Sequence, residues 1–585
     1  MLRSEPTEQL ARRLAVARGE EPADLVIRGG HVLSTFTREW LEGDVAVVDG
    51  FVAGVGAYEG GEVLDARGRY VVPGFVDAHV HLESSKLLVD EFARLVLPLG
   101  TTAVVADPHE IANVLGTDGV HWLIDACDRI PLDVYFMASS CVPASELESP
   151  WRELTIGDLE GLLHRHRVLG LAEMMNFPGV VAGDPSELAK LRLARHVDGH
   201  APGLHGLTLN AYAAARVRSD HEASTLEEGR ERLRAGLWLL VREASAARNL
   251  RALVPLAIEY GPSRIAFCTD DREPEHIADD GHINSMVRDA VALGVPPEDA
   301  LVMASLSPAL YHGLDDLGAI APGYQADVLV LPDLESFVPD VVLLAGEPLA
   351  DIPHVAVPEW VRKSVHLGPV SADDLRLPYR GGRARVIGLV PGEIVTETLV
   401  EELRVESGLA VADPGRDLAK VAVLERHLGT GRAGLGFVRG FGLRRGAFGA
   451  TVAHDAHNVI VVGVHDGAMA LVVERLRALG GGIVVADERD VLAELPLPVA
   501  GLLSDRPLEE VLATSRAVND AARTLGVTPS APFQALAFLA LSVIPSLKIT
   551  DRGLVDVDAR RVVPLAVEER PERQQPSPTP TATRA

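Results

Sequence analysis

The chain has 585 residues, is 47% hydrophobic and carries a formal net charge of −28 at pH 7. This length predicts two to four domains, and the apolar fraction argues against wholesale disorder. An acidic surface repels phosphate backbones and anionic lipids, so we expect neither nucleic-acid nor membrane binding. Three widely spaced cysteines, Cys127, Cys141 and Cys268, do not form a disulfide framework. With no signal core near the start and no long apolar run, the sequence predicts a soluble cytoplasmic protein.

The first part of the chain predicts short strands that follow an N-terminal helical segment at residues 1–23. Apolar alternation between glycine turns at residues 25–27, 32–33, 44–48 and 51–55 indicates a small β-sheet. A similar pattern returns at 318–331, after about the 250 residues that a (β/α)8 barrel needs. We therefore predict an α/β fold, with a TIM-like (β/α)8 barrel at 73–317 inserted in a composite β domain at 24–72 and 318–384.

Eight apolar runs within the predicted barrel each end in a polar cluster. They lie at residues 71–76, 102–106, 134–138, 168–172, 195–197, 214–217, 237–241 and 264–268. Helix-compatible segments such as 226–235 and 284–293 separate them. This alternation favours a parallel α/β barrel, in which catalytic groups lie at the carboxyl ends of the strands.

The pattern changes from about residue 385 onward. Glycine-rich, strand-like stretches at 450–464 and 481–486 mix with helical ones at 468–479 and 508–525. These elements predict a separate α/β or α+β domain at 385–568. The last residues, 569–585, are rich in Pro, Thr, Ser, Gln and Arg and predict a disordered tail.

A candidate metal site begins with His79 and His81, which follow the first predicted strand. Period-two alternation places both imidazoles on one face, where they form half of a site for a borderline divalent metal. Other strand ends supply a carboxylate able to bridge two cations, two further imidazoles and a second carboxylate: Glu173, His200, His221 and Asp270. Each could instead be a satisfied core group or a helix cap. Their joint occurrence at matching strand ends favours a two-metal site.

Such a site indicates a class of reaction. Two divalent ions lower the pKa of a shared water, which then becomes a nucleophile at neutral pH. Asp270, beside it by position, can accept the proton and pass it to the leaving group. This chemistry suits hydrolysis at an sp² carbon of an amide, a cyclic amide or an amidine, and the residues by themselves indicate nothing narrower.

Segment 73–81, Pro-Gly-Phe-Val-Asp-Ala-His-Val-His, resembles the first-strand signature of the amidohydrolase superfamily. The following Glu83-Ser84-Ser85 is similar to the adenine deaminases. Further matches occur in the same order at 107–114, 139–143, 171–175, 198–203, 242–249, 268–272, 281–283, 453–458 and 544–553. The resemblance covers residues 8 to 567 and implies hydrolysis of adenine to hypoxanthine and ammonia, a purine-salvage step.

The resemblance also implies two ions per chain, Mn²⁺ or Fe²⁺, and a homo-oligomer. The implied ligands are His79, His81 and Asp270 for one ion, His200 and His221 for the other, and Glu173 as the bridge. Many superfamily members bridge with a carboxylated lysine, but this chain has only five lysines and none near Glu173. A metal-activated hydroxide would attack C6 of the purine while Asp270 moves the proton to the departing amine.

Further site residues are expected around the ligands. His109 and Glu110 are expected to orient water, with supporting hydrogen bonds to the ligands as the open alternative. Expected substrate contacts are Glu83, Ser84, Asp107, Asp271 and His282, although ion pairing for Asp271 and a structural role for His282 stay open. The group His454, Asp455 and His457 suggests either an accessory metal site or a contact between domains.

Two alternatives compete with this interpretation. A cyclic-amide hydrolase of the same superfamily, similar to dihydroorotase or hydantoinase, would normally use the lysine bridge, so Glu173 argues against it. A non-catalytic barrel that serves as a scaffold would not need the complete set of six ligands.

Overall fold

The computed structural model describes residues 6–567, so the predicted tail at 569–585 lies outside the described residues. The first elements are α1 (Thr7–Ala17), β1 (Ala23–Ser34), β2 (Glu39–Val48), β3 (Phe51–Gly56), β4 (Gly60–Asp65) and β5 (Tyr70–Pro73). The two strands predicted at 25–27 and 32–33 form one long strand, β1, whose register with β2 shifts between Ile27 and Gly30. Helix α1 packs on β2 and β3.

Eight parallel strands follow. They are β6 (Phe75–Val80), β7 (Thr101–Ala106), β8 (Asp133–Ala138), β9 (Val168–Met174), β10 (Val197–Gly199), β11 (Ser219–Asp220), β12 (Trp238–Arg242) and β13 (Ile265–Cys268). One parallel sheet has the order β10-β9-β8-β7-β6, and a second has the order β11-β12-β13. A parallel bridge between Val80 and Asp270 connects β6 with the end of β13. The carboxyl ends of the strands in each parallel sheet therefore share one edge.

Helices connect these strands. They are α2 (Val89–Val96), α3 (His109–Cys127), α4 (Ile156–Leu163), α5 (Phe177–Ala182), α6 (Pro185–Leu191), α7 (Gly206–Ala214), α8 (Leu226–Arg234), α9 (Leu250–Leu253), α10 (Pro255–Tyr260), α11 (Pro274–Asp280), α12 (Ile283–Ala292), α13 (Pro297–Met303) and α14 (Leu306–His312). Capping boxes at Thr155 and Thr225 begin α4 and α8, because the threonine hydroxyls satisfy free backbone N–H groups.

Three of the eight predicted strands are wrong in detail. The run at 195–197 is displaced, because β10 begins only at Val197 and continues to Gly199. The run at 71–76 divides into β5 and β6 at Gly74, where a Cβ would lie 2.1 Å from the Thr102 Oγ1, so only glycine allows this close approach. His79 consequently lies inside β6 and not after a strand. The run at 214–217 is not a strand, because the alanines preceding Arg216 extend α7 to Ala214 and β11 begins at Ser219.

The first sheet is completed by strands from beyond the parallel ones: β14 (Val328–Leu331), β15 (Val341–Leu344) and β16 (Glu347–Pro348). β14 is antiparallel to β5, and the order is β16-β15-β14-β5-β1-β2-β3, with β4 beside β1. Both flanks of the parallel strands thus contribute to one sheet. Leu33, Val72 and Leu329 join this sheet to the buried core of the parallel strands and their helices.

The remaining elements belong mainly to a second large sheet. They are β17 (Leu377–Pro378), β18 (Arg383–Leu389), β19 (Thr396–Glu402), β20 (Arg404–Glu406), β21 (Leu409–Val411), β22 (Leu418–Leu424), β23 (Ala433–Arg439), β24 (Ala447–Ala450), β25 (Val459–Gly463), α15 (Asp466–Leu479), β26 (Gly482–Ala486), β27 (Val491–Pro496), α16 (Leu508–Thr524), α17 (Pro532–Ala537), β28 (Leu547–Thr550), β29 (Gly553–Asp556) and β30 (Arg561–Val563). The order β19-β18-β23-β22-β25-β24-β26-β27 is antiparallel except between β18 and β23. The strand-like stretch predicted at 450–464 is interrupted by a turn at 451–458.

No helix within residues 6–567 combines the length and the apolar character that a bilayer crossing requires.

Candidate active site

The six predicted metal ligands converge at the carboxyl ends of the parallel strands. His79 lies in β6 and Glu173 in β9, while His81, His200 and His221 directly follow β6, β10 and β11. Asp270 follows β13 by two residues. We call these six residues the ligand cluster, and all of them are buried.

Glu173 lies between two pairs of imidazoles. Its Oε1 is 3.4 Å from His81 Nε2 and 3.9 Å from His79 Nε2. Its Oε2 is 2.8 Å from His200 Nδ1 and 3.4 Å from His221 Nε2. Each carboxylate oxygen therefore faces one imidazole pair, which is the arrangement that a carboxylate bridging two cations needs.

Asp270 completes one side of the ligand cluster. Its Oδ1 is 3.1 Å from His81 Nε2 and 3.8 Å from His79 Nε2, and its Oδ2 accepts a hydrogen bond of 2.7 Å from Arg242. Its φ of +54° is uncommon for a residue with a side chain and is typical of strained functional positions. Burial opposes ionisation, but Arg242 and His81 outweigh it and hold the pKa of this carboxyl well below its usual range. Asp270 is therefore an anion in the cavity.

The donor set fits divalent cations. Imidazole and carboxylate donors suit zinc and other first-row divalent metals. Ligand atoms of His79, His81 and Glu173 lie within 4.8 Å of one another, as do those of His79, His221 and Asp270. Oε2 of Glu173 and both ring nitrogens of His200 are buried without a hydrogen bond of good geometry. Burial and neighbouring imidazoles lower the pKa of His79 to about 3, which leaves it in the neutral form that binds metals.

The residues after β7 contact the ligand cluster. Asp107 Oδ2 is 3.1 Å from His109 Nδ1, and that nitrogen is 3.6 Å from Glu173 Oε1. Glu110 Oε2 is 3.5 Å from His81 Nδ1. Burial opposes ionisation of Glu110, but His81 and His109 lower its pKa to about 2. His109 lines the central cavity, whereas Asp107 and Glu110 act on it through the imidazoles they contact.

Of three predicted substrate residues, Ser84 and Asp271 are bonded to each other at one edge of the cavity, whereas Glu83 is bonded elsewhere. The Ser84 hydroxyl donates to Asp271, and Asp271 itself lines the cavity. Glu83 Oε1 accepts a hydrogen bond of 3.2 Å from the backbone of Ile111. Burial and the charge of Glu110 raise the pKa of Glu83 well above its usual range. Only Asp271 of the three faces the central cavity.

The structure does not bring His282 to the cavity. Its Nδ1 is 2.9 Å from the Thr101 hydroxyl and its Nε2 is 3.4 Å from Asp77 Oδ2, and the ring is wholly buried. Burial lowers its pKa well below the usual range, so the ring is neutral. Because Asp77 in turn accepts the Thr269 N–H, His282 supports β6 and β13 from behind.

The second large sheet and its connections close the cavity, whose free volume is about 30 Å³. The closing residues are Ile394, His454, Asp455, Phe538 and Leu541, which we call the C-terminal wall. Asp455 Oδ1 is 3.5 Å from His109 Nε2, and His454 Nε2 is 3.9 Å from Asp271 Oδ1. His457 does not reach the cavity; its Nδ1 accepts the Ala453 N–H. His454 and Asp455 therefore contact residues that follow parallel strands, Asp271 and His109, as a contact between domains requires.

Two polar residues that contact the ligand cluster were not predicted from the sequence. Glu222 Oε1 is 3.4 Å from His221 Nε2, and the Arg242 guanidinium contacts both Glu222 and Asp270. A signal was present for both, because Arg242 ends an apolar run and Glu222 directly follows a candidate ligand. Ile394 and Phe538 offered no such signal, since they enter the site from distant parts of the chain.

Parallel strands that carry buried imidazoles and carboxylates at their carboxyl ends define the class of protein, a metal-dependent hydrolase. The Amidohydrolase family model matches residues 70–349, and the Adenine deaminase C-terminal domain model matches residues 393–561. The chain belongs to the adenine deaminase family, which confirms the resemblance found in its motifs.

Three relatives show how complete the match is. Adenine deaminase 2 of Carboxydothermus hydrogenoformans is 46% identical and covers 94% of this chain and 98% of its own length. Adenine deaminase of Cereibacter sphaeroides is 48% identical with the same coverage. Adenine deaminase of Methylobacterium nodulans is 49% identical over 95% of this chain and 99% of its own.

Proposed function

We propose that the protein hydrolyses adenine to hypoxanthine and ammonia, using two divalent cations, Mn²⁺ or Fe²⁺, held by the ligand cluster. The observation that carries the proposal is the position of Glu173, whose two oxygens each face one imidazole pair. Relatives named adenine deaminases, similar over nearly their full length, support the substrate. The absence of lysine near this position argues against the lysine-bridged cyclic-amide hydrolases.

Cations at these ligands would supply a water nucleophile that is ionised at neutral pH. Asp270 would accept the proton of that nucleophile on Oδ1, the oxygen that faces the imidazoles. Arg242 holds the other oxygen, so the carboxylate keeps its orientation while Oδ1 carries the proton to the amine leaving C6. His109 and Glu110 would hold His81 and the cavity's polar side in place through the contacts described above.

The C-terminal wall would complete the substrate site. Adenine is a flat, neutral ring with both donors and acceptors on its edge, and Asp271, His454 and Asp455 present matching polar atoms. Phe538 and Ile394 supply apolar surface for the ring faces. Closure of the cavity excludes bulk water from the charges within it.

The parallel sheets support the predicted barrel. The two sheets meet at two junctions. The Val80–Asp270 bridge connects β6 with the end of β13, and the hydrogen bond from the Gly199 N–H to Ser219 Oγ connects β10 with β11. We infer that the eight strands close on themselves at 73–317. The other domain bounds, 1–23, 24–72 with 318–384, and 385–568, stay predictions, as do the homo-oligomer and the cytoplasmic location.

Ammonia release from adenine by the Mn²⁺-loaded protein tests the proposal. Adenosine and dihydroorotate serve as parallel substrates, and we expect turnover of the free base only. Turnover of dihydroorotate without adenine would instead establish the cyclic-amide alternative. Fewer than about one bound divalent ion per chain after Mn²⁺ loading would favour the non-catalytic scaffold, because two ions define the catalytic site.

A further inference from the structure

Lys548 in β28 is a buried cation that the reaction does not use. Its side chain is wholly inaccessible to solvent, and its Nζ donates hydrogen bonds to the backbone carbonyls of Ile394 (2.8 Å) and Phe538 (2.9 Å). No acidic side chain within residues 6–567 forms an ion pair with it. Burial lowers its pKa to about 7, and both protonation states keep the two N–H groups that these carbonyls need.

Burial of a lysine at such a position lowers the stability of the fold, because the amine loses its hydration, whereas an apolar side chain has none to lose. Its two acceptors explain why it is there. Ile394 lies in the connection between β18 and β19, and Phe538 follows α17, so neither carbonyl belongs to a strand ladder. Lys548 therefore ties together two irregular segments that are 144 residues apart in the chain, as the difference of their numbers shows.

Ile394 and Phe538 line two cavities at once, and we call these two residues the partition. On one side is the catalytic cavity of about 30 Å³. On the other is an outer cavity of about 360 Å³, lined by both partition residues together with residues such as Ala246, Thr528 and Ala535. The catalytic cavity is smaller than the roughly 150 Å³ that accommodates benzene, whereas the outer cavity is larger. A purine therefore needs more room than the catalytic cavity offers, and the larger cavity shares both partition residues with it.

The partition also contacts the polar side of the site. The Phe538 ring stacks on His454 with centroids 5.1 Å apart, so a shift of the Phe538 backbone would move a cavity-lining aromatic surface. Ile394 and Phe538 further belong to one apolar cluster with Cys141, a buried thiol. The accessibility of that thiol therefore reports on how tightly this cluster is packed.

We propose that Lys548 is a positioning residue that holds the Ile394–Phe538 partition closed, and that adenine enters the catalytic cavity from the outer cavity through this partition. The inference rests on the proposed function for its substrate. The hydrogen bonds to the two carbonyls set the closed position, and transient release of the partition admits the base.

Lys548→Met tests the positioning role, because methionine fills similar space without a donor. We expect the KM for adenine to rise about tenfold with kcat changed less, since a loosened partition encloses the ring poorly. Alkylation by iodoacetamide, followed by mass spectrometry, should begin at Cys141 while Cys127 and Cys268 stay protected. Lys420→Met is the matched control, because Lys420 is also buried but contacts Leu375 and Asp466 instead of the partition.

Phe538→Ala removes a partition side chain directly and should also expose Cys141, which keeps the test decisive if Lys548→Met does not fold. Protection of Cys141 in the folded variants, or alkylation of Cys141 as fast in the unchanged protein as in those variants, would overturn the closed partition. The labelling needs no turnover. A wild-type protein that releases no ammonia from adenine therefore refutes the proposed function alone, and the partition is still decided by Cys141.

The entry route has its own test. Thr528→Trp places a large ring on the outer cavity, and we expect kcat/KM for adenine to fall about tenfold because association is obstructed. Thr524→Trp is the control, since Thr524 is equally exposed, lies four residues earlier and does not line the cavity. Equal kcat/KM values for the two variants would exclude the outer cavity as the route.

Discussion

The ligand cluster and the C-terminal wall meet in one cavity but are built in opposite ways. The ligand cluster consists of side chains at the ends of parallel strands, where regular hydrogen bonding fixes each position within short segments of sequence. The C-terminal wall consists of side chains on turns and connections of a largely antiparallel sheet. The residues proposed to bind metal thus lie in or just after hydrogen-bonded strands, whereas the residues proposed to enclose the substrate lie on connections, which are the usual place for substrate-specific contacts.

The largest expected effect comes from the centre of the ligand cluster. Glu173→Gln should lower kcat/KM roughly 10⁴-fold or more, the scale on which loss of one member of a cooperating catalytic set acts. The amide cannot give an anionic oxygen to both imidazole pairs, so metal content should fall below two ions per chain. Activity and metal analysis measure both effects. Glu187→Gln, at a buried glutamate outside the cavity, should change neither; an unchanged metal content in the Glu173 variant would show that the bridge is wrongly assigned.

Asp270→Asn separates proton transfer from metal binding within the same cluster. Loss of the proton acceptor should lower kcat about 10²- to 10⁴-fold. Single-turnover rates, measured on protein whose metal content has been matched to the wild type, check this. Asp90→Asn, at a buried aspartate that accepts the Val355 N–H and does not line the cavity, is the control. A full rate in metal-matched Asp270→Asn would remove it from the catalytic step.

The scaffold under the ligand cluster predicts an effect on stability. Arg232 is wholly buried and bonds Asp220, the residue before His221, and the carbonyls of Leu204 and Ala201. Arg232→Met leaves the Asp220 carboxylate buried without its cation, which should lower the free energy of unfolding by about 3–5 kcal/mol. Denaturant unfolding measures it. Arg234→Met, on the exposed face of α8, should cost less than about 0.5 kcal/mol; equal losses would contradict the role of the buried pair.

The smallest effect is expected in the C-terminal wall. Asp455→Asn should raise the KM for adenine about tenfold, equivalent to about 1.4 kcal/mol, because one polar contact of the wall weakens. Metal content and kcat should stay near the wild-type values, in contrast to Glu173→Gln. Steady-state kinetics with metal analysis checks the difference, and Asp520→Asn on the exposed face of α16 is the control. Loss of metal in the Asp455 variant would mean that the wall holds a cation itself.

The sequence by itself determined the family, the alternation of strands and helices, and all six members of the ligand cluster. It could do so because apolar runs mark buried parallel strands. A polar residue at the end of such a run lies at the carboxyl end of the strand, where the site of an α/β barrel is built. The same local rule failed at 71–76. There the close approach of Gly74 to Thr102 allows one apolar run to form two strands, β5 and β6, which belong to different sheets. It failed at 214–217 because alanine is the strongest helix former, so the alanines before Arg216 extend α7 and do not begin a strand.

Only the tertiary structure decided which residues enclose the site. His282 belongs to a matched motif, yet it lies behind β6 because Thr101 and Asp77 bind both of its ring nitrogens. Ile394, Phe538 and Lys548 come from separate segments that meet when the C-terminal part of the chain folds, and Ile394 and Phe538 line the cavity only where this part contacts the strand ends. Contacts between residues far apart in sequence follow from packing, which no local pattern encodes. The residues of the ligand cluster could therefore be predicted from the pattern of strands, whereas the residues that enclose the cavity could be identified only from the folded structure.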